Sequence, residues 1–139
     1  MSRYKKQPSI EQRIITCIGR ALWALVSLPF RGKKSGDVVE QWKEVQELMA
    51  KDGNHAWAMA IMKADNILDS VIMQRVEGST LGERLKNMEG KINRDALQSA
   101  WDGHKLRNQI AHGESDISHK VAQDAIANFR KVLDELGEM

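Results

Sequence analysis

A chain of 139 residues has room for one domain with one core, plus a short appendage at most. Apolar residues at 42% and charged residues at 29% exclude wholesale disorder, and a single cysteine, Cys17, excludes an intrachain disulfide and a thiolate metal centre. The net charge of +2 hides a split: residues 1–36 carry eight basic side chains against Glu11 alone, while the remaining 103 carry 13 basic and 18 acidic ones. Such asymmetry divides a chain into units with different surroundings, here a basic N-terminal segment with its linker (residues 1–35) and a second domain (residues 36–139).

The first unit contains the most apolar stretch, "RIITCIGRALWALVSLPFRGKK". Residues 14–30 are at the lower length limit for crossing a bilayer, and Arg20 interrupts them. On a helix, Arg13, Thr16, Arg20, Ser27 and Arg31 fall on one narrow basic stripe beside a wide apolar face. That pattern suits an amphipathic helix lying in a membrane interface through residues 13–31, its arginines reaching anionic headgroups. A short transmembrane helix and a helix packed on the domain or on a second copy remain open beside it. Arg20 within the apolar run argues against a cleaved signal peptide. The chain is expected to be cytoplasmic, held at the inner face of the membrane. "RGKKSG", residues 31–36, reads as the linker.

From Asp37 onward the helical period takes over. Val38, Trp42, Val45 and Met49 recur at i, i+4, i+7 and i+11, with Asp37 as N-cap, until "KDGN" interrupts them. A second helix is predicted over about residues 54–75, with Trp57, Ala60, Ile61, Ala64, Ile67, Leu68, Val71 and Ile72 on one face and Asp65 and Asp69 as its polar exceptions. Met59, Met62 and Met73 fit core or boundary positions. Thr80 and Glu83 form a capping box for a short helix through Leu81, Leu85 and Met88. Asn93 caps a fourth helix that runs to His112, with Gly113 in the C′ position, and Val121, Ala125, Phe129, Val132 and Leu136 stripe a fifth. Short loops make neighbours antiparallel, so the fold class is all-α: a four- to five-helix up-and-down bundle preceded by the amphipathic helix.

The fourth helix departs from plain amphipathic patterning at "HKLRNQIAHG", residues 104–113. His104, Asn108 and His112 are spaced i, i+4, i+8, and Arg107 is i+3 from His104, which gathers all four on one face below Leu97, Ala100 and Trp101. Desolvating an arginine costs several kcal/mol unless it is paired, and Asp69 or Asp102 is the expected partner. The cluster therefore belongs at a cleft or a subunit interface.

"Arg107-Asn108-Gln-Ile-Ala-His112" resembles the R-x(4–6)-H motif of HEPN (higher eukaryotes and prokaryotes nucleotide-binding) domains, in which a polar residue commonly follows the arginine near the end of a late helix in a four- or five-helix bundle. The resemblance covers residues 37–139, and "ADNILD" at 64–69 is similar to the second-helix segment of such proteins, where an acidic side chain can face the motif. It implies a metal-independent endoribonuclease of toxin or defence type, without cofactor, acting as a homodimer on RNA. In that scheme His112 exchanges a proton, Arg107 holds the phosphate and Asn108 orients one of them. His104 and Asp69 are candidates for support, and an antitoxin or other protein partner is implied. The acidic balance of residues 37–139 and the lack of an aromatic platform oppose RNA attraction. A non-catalytic interaction or nucleotide-binding module, and a membrane-tethered adaptor, are therefore the alternatives.

Overall fold

The structure, a computed structural model, describes residues 35–114 and 116–139. The amphipathic helix expected over residues 13–31, with its membrane readings, lies outside the described residues. Five helices occur among the described residues: α1 (Ser35–Met49), α2 (Asn54–Ile72), α3 (Leu81–Asn87), α4 (Arg94–Ala111) and α5 (His119–Glu135). They form an all-helical bundle compatible with the up-and-down arrangement. None of them is long and apolar enough to cross a membrane.

Helix α2 packs against all four others and is the centre of the bundle. Its sequence explains why: Ala60, Ile61, Ala64, Ile67, Leu68, Val71 and Ile72 are all buried, and the two alanines let neighbouring backbones approach. Val38, Trp42 and Val45 of α1 and Ala122, Ala125, Phe129, Val132 and Leu133 of α5 complete most of the core. Lys63 of α2 pairs with Glu44 of α1 across the outer seam.

Helix ends follow local chemistry. Helix α1 begins at Ser35, two residues before the expected N-cap, so Asp37 lies inside its first turn. Thr80 caps α3 by accepting from the Glu83 amide at 3.2 Å, while Glu83 Oε2 accepts from the Ser79 amide at 2.7 Å. Thr80→Ala should therefore cost about 1 kcal/mol, seen as a lower urea midpoint at unchanged slope. Asn93 and Ser118 cap α4 and α5 through bonds to the Asp95 and Val121 amides. Helix α4 ends as the sequence suggests: Gly113 takes φ +71°, its amide bonds to Ile110 O, and the Glu114 amide reaches back to Gln109 O. That paired closure requires a left-handed residue, which glycine supplies without a Cβ penalty.

Three expectations fail. Val121, placed on the core stripe of α5, is 40% exposed, because the buried face is set by Ala122, Ala125 and Phe129. Met59 and Met73 are also exposed, since the α2 core face is filled by its aliphatic residues and alanines. Helix α2 is shorter than predicted and stops at Ile72, beyond which Met73 to Val76 close isolated turns.

Candidate functional site

The polar cluster of α4 is organised by a residue from α2. Asp65 is 3% exposed, the only buried acid among the described residues, and sits one turn before Asp69 on the otherwise apolar core face of α2. Its Oδ1 lies 2.9 Å from His104 Nδ1, and its Oδ2 lies 3.4 Å from Arg107 Nε. His104 Nε2 is 3.3 Å from Asn108 Nδ2, and Arg107 Nη1 donates to Asn108 Oδ1 at 3.2 Å. The four side chains thus close a ring: Asp65, His104, Asn108, Arg107 and back to Asp65. Trp101 covers one side, its indole edge-on to the His104 imidazole at 6.5 Å.

The ring follows from helical spacing. His104, Arg107 and Asn108 at i, i+3 and i+4 share one flank of α4, close enough for their ends to meet. The Asp65 carboxylate, taken out of water by the α2 core, needs donors and finds two cationic or neutral N–H groups. The contact with Arg107 is incomplete. Its Nε is within ion-pair distance of Asp65 Oδ2, yet it is buried and lacks an acceptor aligned for a hydrogen bond. The separation suits an ion pair but makes no hydrogen bond. An unaligned N–H pointing at a carboxylate keeps most of the charge attraction and loses the bond.

His112 stands apart from the ring. It is the C-cap of α4 with φ −90° and ψ 0°, exposed, and among the described residues its imidazole has no hydrogen-bond partner. It lies one turn beyond Asn108, where the Gly113 closure ends the helix. Sequence spacing gathered four residues on one face; the structure joins three of them and leaves His112 at the rim.

The acid partner differs from expectation. Asp69 does not reach Arg107. It accepts from Arg84 Nε at 2.8 Å and Nη2 at 2.6 Å, and Arg84 Nη1 also donates to Gly78 O. Asp102 is exposed and accepts from Gln98. The reason is topological: α3 packs on α2 and brings Arg84, buried at 7% exposure, onto Asp69, leaving Asp65 for α4. Asp65 was visible in the sequence as a polar exception on the α2 core face. Arg84 was overlooked, although it shares one helical face with Leu81, Leu85 and Met88, which is the signal of a cation turned inward.

Chemically, the site offers a guanidinium with one weakly satisfied N–H, a fixed amide and, at the rim, a free imidazole. Histidine is the side chain whose ordinary titration spans neutral pH, so an exposed one can both accept and donate a proton. Arginine presents a planar fork suited to phosphate. Compared with family models, with curated proteins and with solved structures, the chain matches none of them.

Proposed function

We propose that this chain is a HEPN-like, metal-independent endoribonuclease that acts as a homodimer. The observation that carries the reading is the pairing of a ring-held Arg107 and Asn108 with an exposed His112, one turn further along the same helix and without a hydrogen-bond partner among the described residues. In this reading Arg107 holds the scissile phosphate and offsets the charge that builds on its oxygens. His112 takes the proton from the 2′-hydroxyl, whose oxygen attacks phosphorus. The P–O5′ bond breaks, leaving a 2′,3′-cyclic phosphate, and the departing 5′-oxygen takes up a proton. Two proton transfers are required and each chain has one rim histidine, so His112 of a second copy supplies the other.

The test is cleavage of a mixed RNA pool in EDTA by the full chain, wild type beside His112→Ala. Cleavage by wild type alone with cyclic-phosphate ends supports the nuclease. At least about a hundredfold loss in the variant is expected from removal of an acid–base group. Absence of cleavage by a folded dimer sinks it.

A second reading, a non-catalytic interaction module, is favoured by one feature: Asp65 already offsets much of the Arg107 charge. On that reading, His112→Ala changes no RNA and Arg107→Ala weakens self-association instead.

A further inference from the structure

We propose that His104 is a positioning residue that acts as a proton-operated latch on Arg107, holding it inward when neutral and releasing it toward phosphate when protonated. The proposal rests on the reading of Arg107 as the phosphate holder, and adds to it a control that the cluster's own hydrogen count dictates.

The ring admits one arrangement of hydrogens. An ionised Asp65 only accepts, so His104 Nδ1 must carry its proton toward Oδ1. Arg107 only donates, so the atom of Asn108 facing its Nη1 is the carbonyl oxygen, which turns the amide nitrogen toward His104. The amide nitrogen is a donor, and His104 Nε2 must therefore be bare. The closed ring requires a neutral, Nδ1-protonated His104. Both imidazole nitrogens are then engaged within the ring, which makes His104 a positioning group.

A proton added at Nε2 reverses this. Nε2–H would then face the Asn108 amide nitrogen, two donors at 3.3 Å. Asn108 must rotate its amide to present Oδ1 to the imidazolium, which presents Nδ2 to Arg107 Nη1 and expels it. The new cation also takes over the Asp65 carboxylate, for which Arg107 Nε competes from 3.4 Å without an aligned hydrogen bond. One proton thus loosens both ties of Arg107, the member of the ring already least well held.

Among the described residues the surroundings supply no other counter-charge. From α2 the facing group is Asp65; from α4 itself it is Arg107. On α3, Arg84 is committed to Asp69 and Gly78, and α5 meets α4 through Phe129 against Gly103. Among the described residues no hydrogen bond or ion pair joins a charged side chain of α1 to the ring: Lys43 pairs with Glu40, and Glu44 with Lys63 of α2. The arginine side chain is 30% exposed, so its head has solvent to swing into. Because binding is reciprocal, an anion captured by the released Arg107 favours the protonated latch, and protonation favours the anion.

The experiment uses the full chain and nuclear magnetic resonance of three groups: the His104 ring nitrogens, the Asn108 side-chain amide and the Arg107 Nε–H. Over a pH series that protonates His104, all three should move with one shared midpoint. In His104→Gln, which cannot titrate, the Arg107 signal should stay constant over the same range. The probe for binding is oligothymidine, which carries phosphodiesters but no 2′-hydroxyl, so it binds without being cut. Its affinity should rise at least about fivefold at the acidic end in wild type and lose that difference in His104→Gln. An Arg107 signal that ignores the His104 titration overturns the latch, as does a pH response unchanged in His104→Gln. The coupling is read without RNA, so its failure leaves the ribonuclease reading standing, and absent cleavage leaves the latch standing.

Discussion

Asp65→Ala should lower the unfolding free energy by about 3 kcal/mol, near the low end of what breaking a buried ion pair costs, because Arg107 keeps some access to water. The loss does not measure an attractive contact. Removing the carboxylate leaves the His104 Nδ1–H and the Arg107 Nε–H facing an apolar wall, and desolvated donors without acceptors are what cost. Asp65→Asn keeps the shape but gains little. Its amide offers one oxygen where two donors converge, so either His104 or Arg107 faces an N–H. The decisive comparison is Asp65→Leu combined with His104→Leu and Arg107→Met, which takes every charge out of the ring together. Exchanging a whole buried ionic group for apolar residues is often neutral, so this triple variant should lose less stability than Asp65→Ala alone. Urea unfolding followed by far-ultraviolet circular dichroism reads all of them. A triple variant less stable than the single would show that the ring is a net source of stability.

The all-α class, the approximate helix extents, the N-caps Thr80 and Asn93 and the closure at Gly113 were legible in the sequence because each depends on neighbours within a turn. Thr80 and Glu83, or Gly113 after Ile110, carry their geometry in their spacing. The cluster on α4 was legible for the same reason, since i, i+3 and i+4 positions meet on any helix. What the sequence could not rank was Asp65 against Asp69. They are four residues apart on one helix face, and the choice between them is made by where α3 and α4 land on α2, a tertiary matter. Arg84 settles it by occupying Asp69. His112 shows the opposite limit: its spacing from Asn108 is right for the cluster, but the helix ends under it, and a side chain past the last turn follows solvent. Val121 erred through packing as well, because α5 rotates to bring Phe129 and not Val121 against its neighbours.

That rotation has a cause in one residue, and it carries the second large effect. A Cβ placed on Gly103 would lie 2.7 Å from Phe129 Cζ and 2.9 Å from its Cε1, so the tip of the phenyl ring stands where a side chain of α4 would begin. Phe129 is fully buried, and Phe129→Ala should cost about 3–5 kcal/mol through lost transfer energy and the cavity left behind. Gly103→Ala sets two effects against each other. Alanine favours the helix by up to about 1 kcal/mol, but a methyl inside the contact distance of a rigid ring tip forces α4 and α5 apart at about 1–3 kcal/mol, so the net change is destabilising. Phe129→Leu withdraws the ring tip, and the alanine methyl then fills part of the vacated space. The double variant should be more stable than the sum of the two losses by at least about 0.5 kcal/mol. Because Gly103 immediately precedes His104, Gly103→Ala alone also shifts the imidazole against Asp65, where the present separation is 2.9 Å. The single variant should therefore disturb the His104 and Arg107 resonances, and Phe129→Leu should restore them along with stability. Purely additive losses in the cycle would mean that glycine and ring tip are not the contact that sets the spacing of α4 on α5, and the alignment of His104 with Asp65 would then have to come from α2 alone.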